Sequence, residues 1–487
     1  MYENEISLPI NFQKGKRNVF IDWWFVEAGY GMPFWKSYQL KYGTDPWFSP
    51  YGVELVVNKP EIERTPFLSD DPSGGLRAYS TLLYEEGVYR FWYETDGSFN
   101  MGDRGAIILY MESKDLINWK RPVLNVIEHK ASIENNIVYG TGPEAKGGLT
   151  GAHGATVFSD PKAPDSERYK LVYLGQATEG ELPYNWVYGA ISPDGINWTK
   201  VKEPLIKHTS DTQTVALYDE ETAQYVMYLR GWSPANRYGS GGRRVIKRSE
   251  SPQFGAFSLP QTVLAPDVQW QPSTDIYTNA YHKWPNADMA HIMLPSLYDR
   301  NTDTLDIHLF LSRDAVHWYT PQAKPIISNT NKIETSAFYV GKGLVPYEKT
   351  KWAFPVYYSP RGHNEYTSIP QGMHIATIRQ DGFIGLEAKI RGEFYTYPCK
   401  FDGSRLLLNS YSHSGGKIKV ELIEVKPELE TVVVEGFALD ECDGVSGDAF
   451  FKPVTWKGID DISHLKDKVL RVRFYLIRSK LFSFMFE

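Results

Sequence analysis

Two cysteines in 487 residues, Cys399 and Cys442, are too few for a disulfide framework, so the fold must rest on packed apolar surface. The two could pair with each other or stay free. No apolar run approaches the ~20 residues that a helix needs to span a bilayer, and no membrane partner is expected. Basic charge is short as well: 52 Lys and Arg against 59 Asp and Glu leave a net charge of −7. A chain without a basic footprint is a poor binder of phosphate backbones, which argues against nucleic acid. The amino terminus carries no basic region followed by an apolar stretch, so the expected site is cytoplasmic as the chain stands, or periplasmic or secreted if a leader has been removed. Gly-x-Ser-x-Gly and zinc-type His/Cys spacings are missing. The glycines of Tyr238-Gly-Ser-Gly-Gly-Arg-Arg244 have no strand–loop–helix unit around them, so no dinucleotide site is read there.

Helical periodicity is scarce too, and short β-like runs take its place. Tyr79-Ser-Thr-Leu-Leu-Tyr84 and Val88-Tyr-Arg-Phe-Trp-Tyr93, joined through Gly87, read as a hairpin. Aromatics reach 14%, with 32 Tyr and 14 Trp, a usage that suits sheet faces and sugar-binding surfaces alike. The most informative pattern is a heptad, Ser113-Lys-Asp115-Leu-Ile-Asn-Trp119. It returns as Ser192-Pro-Asp194-Gly-Ile-Asn-Trp198 and Ser312-Arg-Asp314-Ala-Val-His-Trp318. A worn copy begins at Ser249, and a weaker one surrounds Asp381. Asp or Ser accepting backbone N–H bonds, a small residue turning the chain and a Trp packing back describe a tight turn between strands. Recurrence at 57 to 79 residues, with several short strands per unit, predicts a β-propeller of five blades.

The repeat ends after Gly382-Phe383. Short alternating strands such as Lys417-Ile-Lys-Val-Glu-Leu422 follow, and they predict an antiparallel β-sandwich. The expected fold is therefore all-β, with a propeller over residues 1–385 and a sandwich over 386–487. The Trp- and Pro-rich region before Tyr79 would cover the propeller or supply the strand that closes its ring.

First strands of propeller blades line the channel, so residues entering them from one rim face the axis. Those positions hold Arg77 to Tyr79, His153, Asp211, Asp275 and Glu334. Three carboxylates and an imidazole brought together would repel unless the site used them, which makes Asp211, Asp275 and Glu334 the candidate acid/base set. Arg77, Glu94, His153, Arg230, Trp232, Tyr277 and His363 are candidates for holding a polyhydroxylated ligand.

The Ser-x-Asp-Gly-x-x-Trp turn beside Tyr-rich strands, repeated and then followed by a sandwich, resembles glycoside hydrolases of the invertase/arabinanase superfamily, families 32, 43 and 117 among them. The resemblance implies three acidic groups at the channel mouth, acting as acid, base or nucleophile, and modulator of the acid's pKa. The chain departs from the pattern in its first blade. No carboxylate stands at Tyr79-Ser80, Asp70-Asp71-Pro72 lies upstream, and the second blade offers His153 where an acid is usual. Similarity to family 117, where a His can act as the acid, keeps His153 and His363 in view.

The expected activity is hydrolysis of a terminal glycosidic bond, with Glu334 as acid, Asp211 as base or nucleophile, and a carbohydrate as partner. No cofactor is called for, although a propeller channel leaves room for a structural cation. The alternatives are a non-catalytic sugar-binding propeller, a phosphorylase using Arg243 and Arg244, or a lyase using His and Tyr.

Overall fold

The computed structural model describes residues 9–27, 50–98, 105–140, 151–176, 185–234, 241–328, 336–360, 371–426 and 431–487. They fall into two compact units. One holds the described residues up to Asn58, Trp284–Ala290 and Arg379–Glu487; the other holds Lys59–Lys283 and His291–Ile378.

The larger unit is built from successive antiparallel meanders in a propeller-like arrangement, the fourth and fifth joined into one eight-stranded sheet by a parallel pairing of Leu305 with Ala337. Leu76–Glu85, Val88–Thr95, Ile107–Ser113 and Trp119–Lys120 form the first meander, His153–Ser159 to Thr199–Lys200 the second, and Val215–Asp219 to Gln261–Leu264 the third. The fourth is broken across its middle. Thr274–Ile276 pairs with Ser296–Asp299, whereas Tyr281–Lys283 pairs with His291–Met293 in a separate three-stranded sheet. Pro295 lies at the break, where it cannot donate a ladder bond, and Ala280 opposite takes a left-handed φ of 40°. The fifth runs Ala337–Val340, Lys351–Ser359 and Gly372–Arg379, and its outermost strand is Glu61–Ile62 from the start of the chain. The early region thus supplies the closing strand.

Apolar side chains between neighbouring sheets hold the ring. Trp92 and Ile108 pack with Val157 and Tyr169, Phe158 and Leu174 with Ala216 and Met227, and Val215 and Tyr228 with Ile276 and Met293. Leu82 and Phe91 meet Tyr339 and Ile375, which joins first sheet to last.

The heptads are the turns expected. In each complete copy the Asp Oδ1 accepts two backbone N–H bonds, at 2.7–2.9 Å from Ile117 and Asn118, 2.8 Å from Ile196 and Asn197, and 2.8–2.9 Å from Val316 and His317. The Trp indole donates back to the fourth residue's carbonyl. That fourth residue is left-handed every time, with φ 61° at Leu116, 77° at Gly195 and 63° at Ala315. The turn demands the conformation whether or not glycine is present. Asp381 differs: it is a buried carboxylate of the other unit, accepting bonds from Arg17, Trp284, Asn409 and Ser483.

That other unit carries nine strands in one continuous sheet, which bulges at Ala388/Arg391 and Ser412/Lys417 bend around a single core. Leu406–Val425 and Leu470–Phe486 form its long antiparallel spine. Ile10–Phe12 adds in parallel to Cys399–Phe401, so the layer is not wholly antiparallel. Cys399 and Cys442 are buried and unpaired, and burial pushes the Cys399 thiol up to about 12.

Replacing Ala315 with Gly removes the left-handed penalty of ~1–2 kcal/mol while adding backbone entropy to the unfolded chain. Ala315→Gly should stabilise the protein by ~0.5–1 kcal/mol in a urea titration, and Asp314→Ala should destabilise it. An unchanged or lower midpoint for Ala315→Gly would count against the turn analysis.

Candidate functional site

Entrances of the inner strands bring several of the expected residues together. His153 begins the second inner strand, and its Nδ1 lies 2.7 Å from Glu94 Oε1 on the strand beside the first. Glu94 is almost wholly buried, and its other oxygen accepts the Gly154 N–H at 2.8 Å. A carboxylate used twice as an acceptor fixes Nδ1 as the protonated ring nitrogen and leaves Nε2 toward Asp211, whose Oδ1 is 4.0 Å away. Gly154 is required there. At φ +58° a Cβ would stand 2.4 Å from the Thr212 carbonyl oxygen, so only glycine lets this strand approach the residue after Asp211.

Asp211 keeps 41% of its side chain exposed, and its Oδ2 accepts a 2.7 Å bond from Arg230. Arg230 has no exposed surface. It also donates to the Tyr277 carbonyl at 2.9 and 3.2 Å, and its guanidinium lies 3.8 Å from the Tyr277 ring centroid. Trp232 lies 5.9 Å from the same guanidinium, and Arg77 stands 3.7 Å from Glu94. Arg77, Glu94, His153, Asp211, Arg230, Trp232 and Tyr277 therefore form one connected group. Tyr79 and Tyr339 extend it, with ring centroids 5.1 Å from His153 and 6.1 Å from Tyr277. Burial, neighbouring tyrosines and Asp211 push the Tyr79 phenol well above its ordinary value, and burial raises Tyr277 and Tyr339 as well.

Asp275 is placed differently from Asp211. It has no exposed surface, and both oxygens are taken: Oδ1 by the Arg244 N–H at 2.9 Å and Arg300 at 2.6 Å, Oδ2 by Arg244 at 2.6 Å and Arg300 at 2.8 Å. Burial alone would raise its pKa, but the bonds from Arg300 and Arg244 outweigh it and hold the carboxyl below the usual range. Arg244 reaches over the Tyr277 ring, 5.0 Å from its centroid, which links this pair to the group above. Arg243 spends its guanidinium on the carbonyls of Thr274, Gln271 and Pro266. Asp71 is likewise an internal acceptor, bonded by Tyr93 and Ser73. Glu334 and His363 lie outside the described residues.

No family model matches the chain, and no curated protein matches it. Solved structures do. An N-acetylgalactosamine deacetylase from F. plautii is similar at 14% identity, over 67% of this chain and 96% of that one, with a TM-score of 0.43. A Bombyx mori GH32 beta-fructofuranosidase is similar at 12% identity over 87% and 95%, with a TM-score of 0.43. The alpha-L-arabinofuranosidase PaAbf62A from Podospora anserina, at 12% identity, covers 66% and 98% with a TM-score of 0.43.

Sequence reasoning missed Arg300 and Tyr339. Tyr339 was legible in principle, because counting along the fifth inner strand from its rim reaches it as it reaches Tyr79 and Tyr277. Arg300 follows a hairpin strand in a turn, and nothing local marks it.

Asp275 supplies the test. Its folded pKa is depressed, so its contribution is complete above the unfolded value of ~3.9 and is lost as pH falls through the lower folded value. Asp275→Asn should cost about 2 kcal/mol at pH 7, less than a wholly buried pair because Arg300 remains 41% exposed. The gap between variant and parent should shrink below pH ~4. A gap independent of pH would show that the arginines do not act on this carboxylate.

Proposed function

We propose that the chain is a glycoside hydrolase that cleaves a terminal glycosidic bond of an oligo- or polysaccharide at the mouth of its propeller unit. The observation that carries this reading is the chain Glu94–His153–Asp211–Arg230, in which a half-exposed carboxylate is braced on one side and faces an oriented imidazole on the other. Glycosidic cleavage needs a carboxylate to activate water or attack the anomeric carbon, and a proton donor for the leaving oxygen. Asp211 suits the first of these roles, because a buried guanidinium holds one oxygen while the rest of the carboxylate stays accessible. Glu334 remains the proposed acid on the strength of its place in the repeat, with His153 oriented to pass or hold a proton beside Asp211.

Asp275 fits a different role from proton transfer. With both oxygens saturated by arginine, it sets the position of Arg244 against Tyr277, so that Arg244 and the Tyr277 edge border the substrate space. The raised phenols of Tyr79, Tyr277 and Tyr339 stay protonated at neutral pH and serve as hydrogen-bond donors to hydroxyls, which argues against a lyase using tyrosinate as base. Arg243, committed to backbone carbonyls, does not serve an incoming phosphate, which weighs against a phosphorylase. Action from a chain end, on furanosides first, is the specificity we assign.

Asp211→Asn and Glu334→Gln should each lower kcat by ~10²–10⁴ on aryl furanosides or pyranosides when activity is taken per folded molecule, and Asp211→Asn should also lower the thermal midpoint, because the buried Arg230 loses its carboxylate. Full activity in both variants would remove the acid/base assignment. Binding of oligosaccharide by calorimetry, with no turnover of any glycoside by the parent, would make the unit a sugar-binding propeller instead.

A further inference from the structure

Asp275 is held by more positive charge than it can cancel. Arg244 Nη1 and Arg300 Nε stand 2.6 and 2.8 Å from its Oδ2, so both guanidinium groups meet at one carboxylate oxygen. Arg243 adds a third cation beside them: its Nε and Nη2 bond the Thr274 carbonyl at 3.1 and 2.8 Å, and its other bonds go to the carbonyls of Gln271 and Pro266. Among the described residues no second carboxylate lies within ion-pair distance of these arginines. Asp267, Asp299 and Asp303 are near in sequence, but they accept the Gln269 N–H, the Asn301 N–H and the Tyr298 hydroxyl. Donors are left over as well. Arg244 spends Nη1 on Asp275, and Arg300 spends Nε and Nη2 on Asp275 and the Gly242 carbonyl, so Arg244 Nη2 and Arg300 Nη1 have no acceptor among the described residues. Both side chains reach water, at 25% and 41% exposure. Arg244 also lies 5.0 Å from the centroid of the Tyr277 ring, which Arg230 touches at 3.8 Å while it holds Asp211 at 2.7 Å. The spare donors and Asp211 are thus joined through one aromatic ring.

We propose that Arg244 and Arg300 bind a carboxylate of the substrate, so that the glycan taken by this site contains a uronic acid unit; this rests on the glycosidase reading of Asp211 given above. Asp275 cancels one of the two charges and holds both side chains in place. What the pair has to spare is a single positive charge, which one sugar carboxylate balances and a phosphate dianion exceeds. Unused N–H groups on two guanidinium groups also match the two oxygens of a planar carboxylate, and such charge-assisted bonds are stronger than those made to neutral hydroxyls. Arg243, committed to backbone carbonyls, adds to the positive potential without touching the ligand.

The test is calorimetric binding of galacturonan, glucuronoxylan and alginate oligosaccharides to the full chain, each beside its carboxyl-reduced counterpart. At least one acidic oligosaccharide should bind roughly tenfold or more tightly than its reduced form, and added salt should narrow that ratio. Arg244→Gln and Arg300→Gln should each cut the ratio by roughly tenfold. If Arg244→Gln does not fold, Arg300→Gln decides, because Arg244 still holds Asp275 in that variant. Equal binding of acidic and reduced forms throughout, a ratio unchanged in the variants, or tighter binding of a sulfated oligosaccharide or of inorganic phosphate than of any uronate would each overturn the proposal. Acid-selective binding without cleavage would support it while removing the hydrolase reading, and cleavage of neutral glycosides without acid selectivity would do the reverse.

Discussion

A guanidinium sealed from water must find acceptors for its donors, and Arg230 finds them on two neighbouring sheets. Its bonds reach Asp211 at the entrance of the third inner strand and the Tyr277 carbonyl in the fourth, and its plane rests on the Tyr277 ring. The arrangement of the mouth follows from that one side chain. Glu94 does the same between the first and second sheets, where it holds His153 and the Gly154 amide at once. In both cases the first strand of a sheet presents the group at its entrance, and the second strand of a sheet supplies the brace. Such bracing matters because a catalytic group loses most of its value when its position is loose by even ~1 Å.

Much of the architecture was legible because it repeats. The heptad could be read from three copies, and its Asp–amide bonds recur with nearly the same lengths in each. What hid part of it was the identity of the left-handed residue. Leu116, Gly195 and Ala315 share a backbone conformation without sharing a side chain, so a search for glycine would have found one in three. The Asp381 copy shows the opposite failure, in which a similar string of residues serves a buried hub instead of a turn. Within the site, residues at strand entrances were readable from register, which is how His153 and Asp211 were found. Register says where a side chain starts, not which partner it meets. Asp275 therefore read as an acid, although Arg300, 25 residues later, and Arg244, 31 residues earlier, close off both its oxygens.

The smaller unit is organised by burial of a different kind. Asp381, with no exposed surface, gathers Arg17, Trp284, Asn409 and Ser483 from four separate stretches of sequence. Pattern reading sees the strands around it but not the hub, because none of the four partners is close in sequence to the others.

The strand Glu61–Ile62 has a consequence for the timing of folding. Its partner is Gly372–Arg379, paired through Ile62 with Ala376 and Glu61 with Thr377, more than 300 residues downstream. Closing so long a loop is entropically costly and slow compared with forming the local meanders, which pair strands adjacent in sequence. A ribosome-bound chain can assemble its early sheets one by one, but the ring stays open until the final sheet has left the exit tunnel. During that interval Glu61–Ile62 waits without a partner, and unpaired edges are where partly made sheets pair with the wrong chain. The two-residue length of the closing strand limits that exposure, since a short edge offers little for a stray strand to match.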